Sequence, residues 1–144
     1  MSEEELQALL VEWQERLRLQ DWRLTVQFAR YHELGEGKAG NIEWNIERRG
    51  ARIKVLAEAD VAPDGLIVNP EHVLVHELLH ILWCHYDADG VENTLFEQAL
   101  NTTADALVAL KREAHVEMEP EPQAKGELGV RLCEEAPIAP RELR

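Results

Sequence analysis

Two histidines and a glutamate lie within five consecutive positions of the chain, as His76, Glu77 and His80. Residues four apart on an α-helix lie one above the other, so both imidazoles would project from one helix face at a spacing that suits two nitrogens on one metal ion. Glu77 would lie one step around the helix, close to a metal-bound water without being a ligand. These residue types at this spacing predict a zinc site in which a carboxylate takes a proton from water.

The surroundings of these residues favour a bound metal. From Val73 to Trp83 the other side chains are almost all apolar, which predicts a buried helix. Burying an unpaired carboxylate or imidazole is unfavourable, and a cation would remove that penalty. The alternative is a pair of ordinary core histidines beside a surface glutamate, because five-residue motifs also arise by chance.

Local signals predict three main helices. The motif helix should begin with Asn69 as N-cap and Pro70 in the first turn. Ser2 and Glu5 resemble a capping box, and apolar residues at helical spacing follow them, so an amphipathic helix is expected over about residues 3–19. A further amphipathic helix is expected over about residues 92–112.

Apolar and polar residues alternate in three stretches between the first two helices, which predicts strands at about residues 22–28, 42–46 and 51–55. The last two should form a hairpin, since Arg48-Arg49-Gly50 supplies a tight turn. A short edge strand is possible at residues 66–68. Together these elements predict an α+β fold in which a small mixed or antiparallel sheet packs on the motif helix, with one helix before the sheet and one after the motif.

A catalytic zinc site usually takes three protein ligands, so the motif needs a third. If the motif helix and the next helix form an antiparallel hairpin that turns near Ala88, the midpoint of the two histidines faces about residue 98. Glu97 is the carboxylate nearest that level, whereas Glu92 would face about Cys84. His72 shares the helix face of the motif histidines, but its place in the first turn predicts exposure to solvent. The candidates for the third ligand are His85, Asp87, Asp89, Glu92 and Glu97, with Glu97 preferred.

The motif, followed by a helix that carries Phe96-Glu97-Gln98-Ala99-Leu100-Asn101, resembles the zincin metallopeptidases with a glutamate third ligand, particularly small zincin-like proteins of phages and prophages. The resemblance covers about residues 22–112. It implies one zinc ion on His76, His80 and Glu97, with Glu77 as general base in the hydrolysis of peptide bonds. The chain departs from the larger peptidases in having no obvious second lobe. It also has no clear residue to stabilise the oxyanion, for which the candidates are Tyr31, His32, His85 and Tyr86.

Composition limits the other functions. The 144 residues suit one domain, expected over residues 1–115, and the Pro- and Glu-rich residues 116–144 predict a disordered tail. With 28 acidic and 15 basic residues, the formal net charge of −13 disfavours nucleic acid as a partner. The absence of an apolar run of about 20 residues disfavours a membrane span. An acidic start and two distant cysteines, Cys84 and Cys133, predict a cytoplasmic protein without a structural disulfide.

The sequence therefore predicts a zinc-dependent metallopeptidase that acts on a peptide or protein substrate. Three alternatives remain open. A metal ion could serve only to join two helices of a non-catalytic binding protein, in a closed site that uses Cys84 or His85. The protein could be a metal-dependent nuclease, or it could be a binding module without a metal.

Overall fold

Three strands and four helices make up the described part of the chain, which comprises residues 1–35, 37–57, 60, 68–86 and 90–118 of a computed structural model. The fold is mixed α+β, as the sequence predicts. The elements in chain order are α1 (Glu3–Arg16), β1 (Arg23–Ala29), α2 (Tyr31–Leu34), β2 (Gly40–Asn45), β3 (Gly50–Leu56), α3 (Pro70–Leu82) and α4 (Gly90–Met118).

The three strands form one mixed sheet in the order β1-β3-β2. β2 and β3 form the predicted antiparallel hairpin, with Asn45 opposite Gly50, and Arg49 in the connecting turn takes the left-handed conformation at φ 45°. β1 pairs with β3 in parallel, from Arg23 opposite Gly50 to Ala29 opposite Leu56. β2 is therefore an edge strand, and its outer edge is unpaired among the described residues.

The helix-start signals in the sequence correspond to the observed helix N-termini. Ser2 and Glu5 form the capping box of α1, and the side chain of Asn69 accepts a hydrogen bond from the Glu71 amide at the start of α3. Three features differ from the prediction. α1 ends at Arg16 and not at about residue 19, and the short helix α2 lies between the first two strands, where the sequence predicted no helix. α4 continues to Met118 because helix-favouring residues run on until Pro120.

Some predictions concern residues that the structure does not describe. Only Val68 of the possible edge strand at residues 66–68 is described, and residues 119–144 of the expected tail lie outside the described residues. The expected domain boundary at residue 115 falls inside α4. Among the described residues, no helix combines the length and the apolar character that a membrane span requires.

α3 lies at the centre of the core and is buried on nearly every side. Leu74, Val75 and Leu78 are fully buried. They belong to one cluster with residues of all three neighbouring layers: Leu6 and Trp13 of α1, Ile53 and Val55 of β3, and Leu100, Ala104 and Val108 of α4. Because side chains pack against α3 from both the sheet and α4, its orientation relative to each is closely determined.

A buried lysine ties the first turn of α3 to two other helices. The Lys111 ammonium lies 2.6 Å from Glu71 Oε1 and 2.7 Å from Glu12 Oε2. The Trp13 indole donates a hydrogen bond to the same oxygen of Glu71, at 2.9 Å. A buried charge is tolerated when it is paired and hydrogen-bonded in this way. The network joins α1, α3 and α4, and so fixes how α4 lies along α3.

Candidate metal centre

The structure brings together the three side chains that the sequence singles out as ligands. His76 and His80 project from α3 toward α4, and Glu97 projects from α4 at their level. His72, earlier in α3, faces Asp105, later in α4, so the two helices run antiparallel as the ligand prediction requires. Among the described residues, His76, His80 and Glu97 are the only three candidate ligands whose donor atoms all lie within 4.8 Å of one another.

The spacing of the donor atoms fits a zinc ion. The Nε2 atoms of His76 and His80 are 3.1 Å apart. Glu97 Oε2 lies 3.2 Å from His76 Nε2, and Glu97 Oε1 lies 3.7 Å from His80 Nε2. Ligand atoms in a tetrahedral zinc site with bonds of about 2.0–2.1 Å lie roughly 3.3 Å from one another. Two imidazole nitrogens and one carboxylate are also a typical donor set for a catalytic zinc.

Burial favours the neutral form of both histidines. It lowers the pKa of His76 and of His80, although the nearby negative charge of Glu97 acts in the opposite direction in each case. A neutral imidazole has a lone pair to offer to a metal. The buried Nδ1 of His76 has no hydrogen-bond partner among the described residues. A ring that offers Nε2 to a metal carries its hydrogen on Nδ1, and that hydrogen needs an acceptor such as a carbonyl group or a water molecule.

Glu77 is a buried carboxyl group beside the candidate ligands. Burial, followed by the negative charge of Glu97, raises its pKa to about 8, and the positive charge of Lys38 partly opposes the increase. The side chain is only 6 % exposed and packs against β2. A cation on the neighbouring ligands would neutralise Glu97 and so favour the carboxylate form of Glu77. A group in this position can accept a proton from water near neutral pH.

The raised pKa of Glu77 predicts a pH-dependent penalty on the metal-free fold. An acid whose pKa is higher in the folded state than in the unfolded state loses stability as the pH rises between the two values. Between the ordinary 4.5 and the raised value of about 8, each pH unit corresponds to about 1.4 kcal/mol, or roughly 3 kcal/mol by pH 7. Glu77→Gln should therefore stabilise the metal-free protein at pH 7 and have little effect at pH 4.5.

Urea unfolding in the presence of EDTA at several pH values measures this difference. The lowered pKa values of His76 and His80 give a slope of the opposite sign, but this slope is common to both proteins, so the difference between them reports Glu77. Equal stability of wild type and Glu77→Gln at pH 7 and above would contradict a buried, destabilised carboxylate.

A cavity of about 610 Å³ opens in front of the three candidate ligands and Glu77. β2 forms one wall and α4 the other, with α3 between them. Trp44 on β2 stacks against His80 at a ring-centroid distance of 6.4 Å, and Phe96 of α4 contacts the same imidazole edge-on at 5.8 Å. The remaining lining residues that bear on the chemistry are Lys38, Asn41, Ile42, His72, Asn93 and Asn101. The site therefore has space for a ligand larger than water.

Gly40 allows the edge strand to approach the motif helix. A Cβ at this position would overlap Glu77 Oε1 and would lie 2.5 Å from Val73 Cγ1. Gly40→Ala should therefore displace β2 or the Glu77 carboxyl group, and we expect it to lower the free energy of unfolding by about 1–3 kcal/mol. Gly50→Ala is the matched control, because its nearest neighbour would be 3.9 Å away. Thermal unfolding of both variants tests this, and equal melting temperatures would contradict the close packing.

The other predicted candidates lie away from this cavity. His85 and Glu92 are exposed, and Glu92 lines a separate cavity between α4 and the segment that follows α3. Asp87 and Asp89 lie outside the described residues. Four residues were candidates to stabilise the oxyanion, and none of them is among the described residues that line the cavity in front of the candidate ligands: Tyr31, His32, His85 and Tyr86.

Sequence reasoning missed three residues of the cavity. The side chain of His72, expected to be solvent-exposed, is 23 % exposed and pairs with Asp105. Its position four residues before His76, on the same helix face, is the sequence feature that could have predicted its place in the cavity. Trp44 and Gly40 carried no such signal, because their role depends on where β2 crosses α3.

Comparison with known proteins gives no further guide to the site. A scan against protein-family models, a search of curated proteins and a search of solved structures each gave no match for this chain. The geometry of the site itself is therefore the guide to its chemistry.

Proposed function

We propose that the protein is a zinc-dependent metallopeptidase that hydrolyses peptide bonds. The observation that carries the proposal is the convergence of His76, His80 and Glu97 on one point, with the buried Glu77 beside them and an open cavity in front. Three ligands, a neighbouring general base and room for a substrate are the parts that a hydrolytic zinc site requires.

The residues divide the chemistry between them. A zinc ion held by His76, His80 and Glu97 would polarise the substrate carbonyl and acidify a water molecule. Glu77 takes the proton from that water as the oxygen attacks the carbonyl carbon, and it then passes the proton to the amide nitrogen that leaves. Burial and the charge of Glu97 raise the pKa of Glu77, which suits a group that first accepts and then donates a proton.

The edge strand offers a way to hold a peptide. β2 lines the cavity through Gly40, Asn41, Ile42 and Trp44, and its outer edge is unpaired among the described residues. An extended peptide can form main-chain hydrogen bonds with such an edge. This arrangement favours a peptide or an unfolded protein segment as substrate.

A zinc ion that only joins two helices is the second candidate function. It is favoured by the origin of the ligands, since two come from α3 and one from α4. A structural site would use a fourth protein ligand and would have no role for a buried base. The cavity and the position of Glu77 therefore favour catalysis over this alternative.

Cleavage of a peptide library tests the proposal. The zinc-loaded protein, the EDTA-treated protein and the zinc-loaded Glu77→Gln variant are each incubated with peptides from a digested proteome, and new termini are identified by mass spectrometry. The proposal predicts cleavage by the zinc-loaded wild type alone. Absence of new termini in a fully zinc-loaded sample would contradict it, and cleavage of RNA or DNA by the same sample would favour a nuclease.

A further inference from the structure

The sheet packs against α1 and α3 on one face, and most of its other face has no helix over it among the described residues. Val26 and Ile53 point into the core. Side chains alternate between the two faces of a strand, so the residues next to them point away from the core. α2 covers one end of this second face, where Leu34 packs with Ala29 and Leu56. The remainder is the open sheet face, which consists of Arg23, Thr25 and Gln27 of β1, Arg52 and Lys54 of β3, and Asn41, Glu43 and Asn45 of β2.

The open sheet face is more basic than the chain as a whole. It carries the cations Arg23, Arg52 and Lys54 and one carboxylate, Glu43, whereas the whole chain has a formal net charge of −13. Within the described residues, none of these three cations has an ion-pair partner. The turn between β2 and β3 adds two arginines, one of which pairs with Asp21, and one glutamate. The face therefore has positive charge available for an anionic partner.

The spacing of the cations suits an extended acidic peptide. Arg52 and Lys54 are two residues apart on β3, so they lie on the same face about 7 Å apart. Arg23 is the diagonal neighbour of Arg52, since the direct partner of Arg52 is Thr25, and diagonal neighbours are about 7–8 Å apart. Side chains at alternate positions of an extended peptide repeat at about the same distance. Arginine also binds carboxylates through two parallel hydrogen bonds.

The open sheet face is continuous with the cavity in front of the candidate ligands. A Cβ on Gly40 would overlap Glu77 Oε1, so this side of β2 faces α3. The next residue, Asn41, is on the other side of the strand but also lines the cavity, which therefore extends around the outer edge of β2. Asn41 lies directly opposite Lys54, and Lys38 lines the cavity just before β2 begins. Positive charge thus continues from the cavity onto the open sheet face.

The composition of the face favours a polypeptide over a nucleic acid. Proteins that bind single-stranded nucleic acid combine positive charge with aromatic side chains on which bases stack, and the open sheet face has no aromatic side chain. A duplex has a high density of negative charge, which the net charge of −13 repels. An acidic stretch of polypeptide carries fewer charges and can continue into the cavity as an extended chain.

We propose that the open sheet face binds Asp- and Glu-rich stretches of a protein substrate and so holds the adjoining segment of that protein at the cavity. This inference rests on the proposed peptidase function, because it identifies the bound protein as the substrate. The binding step itself requires no hydrolysis, so the two can be tested separately.

Fluorescence anisotropy measures the binding step. The protein is the zinc-loaded full chain with Glu77→Gln, in which a bound peptide stays intact. The probe is a fluorescein-labelled peptide of alternating Glu and Ser, and the matched neutral probe has Gln in place of Glu. Each is titrated at low and at high salt, because attraction between exposed charges weakens as salt is added.

We expect the acidic probe to bind at least about 10-fold more tightly than the neutral probe at low salt. Adding Arg52→Gln and Lys54→Gln together should weaken binding of the acidic probe by about 5- to 20-fold, since one exposed charge pair contributes about two- to fivefold. Glu43→Gln should have the opposite effect and strengthen it by about two- to fivefold, because Glu43 lies directly opposite Arg52. Arg112→Gln, at an exposed arginine of α4, is the matched control and should change nothing.

The outcomes distinguish the two proposals. Equal affinity for the acidic and neutral probes, or an affinity for the acidic probe that survives the double substitution, would overturn the role of the open sheet face. Cleavage of the peptide library by the wild type would then leave the peptidase proposal standing. Tighter binding of labelled oligo(dT) or duplex DNA, lost in the same double variant, would overturn the acidic-peptide partner in favour of nucleic acid. Expected binding by a zinc-loaded protein whose wild type cleaves no peptide would retain the acidic partner and overturn its role as a substrate.

Discussion

Glu77→Gln should lower peptide hydrolysis by about 10²–10⁴-fold, the range that general-base catalysis contributes, while zinc content stays unchanged. The glutamine amide has nearly the size of the carboxyl group but cannot take a proton from water. Glu77 is not one of the three converging ligands, so its replacement removes no metal bond. The result to measure is therefore loss of turnover in a protein that is folded and fully zinc-loaded.

The control for this experiment is the same substitution at a glutamate outside the site. Glu92→Gln is suitable, because Glu92 is exposed and lines a different cavity. Its hydrolysis rate should equal that of the wild type. Retained hydrolysis by a metal-replete Glu77→Gln sample would contradict the role of Glu77 even if the metal site itself is right.

Glu97→Ala should have the second large effect, which is the loss of tight zinc binding. Substitution of groups that merely support a zinc ligand weakens affinity by about 10- to 100-fold, so removal of a ligand should weaken it by at least as much. His80→Ala should do the same. A ligand that binds only the folded state, at about 1,000 times its dissociation constant, stabilises the fold by about 4 kcal/mol. Both variants should therefore lose most of the stabilisation that zinc gives the wild type.

In the metal-free protein, Glu97→Ala should not lower the stability of the fold. The charge of Glu97 raises the pKa of Glu77, so removal of Glu97 relieves an unfavourable interaction when no cation is present. Without zinc, Glu97→Ala should accordingly be at least as stable as the wild type. A purely structural role for Glu97 predicts lower stability under both conditions.

Differential scanning calorimetry with EDTA and with excess zinc measures both effects. Glu92→Ala is the control, since Glu92 was the competing carboxylate in the sequence prediction. A large stabilisation by zinc that survives in Glu97→Ala but disappears in Glu92→Ala would show that the third ligand is wrong.

Local patterns predicted most of the secondary structure. The alternation of apolar residues gave the three strands, and capping signals at Ser2 and Asn69 gave the starts of two helices. The parallel pairing of β1 with β3 could not be predicted in this way, because it depends on contacts between distant segments. The mixed character of the sheet therefore remained open until the structure placed the strands.

In the candidate site, too, local patterns predicted some residues and not others. His76, Glu77 and His80 follow from one helix, and Glu97 followed from counting residues through an assumed helical hairpin, a geometry that the structure shows. Gly40 and Trp44 could not be found, because no local pattern shows where β2 crosses α3. His72 was visible on the ligand face, but its partner Asp105 lies on another helix, so its burial was underestimated.

The proposed function requires that His76, His80 and Glu97 bind a single zinc ion. X-ray absorption at the zinc edge, on the untagged full chain, tests this claim directly. We predict one zinc per chain with only nitrogen and oxygen ligands at about 2.0–2.1 Å, including two imidazoles. A sulfur ligand at about 2.3 Å, which would implicate a cysteine such as Cys84, or a protein that takes up no stoichiometric zinc, would contradict it.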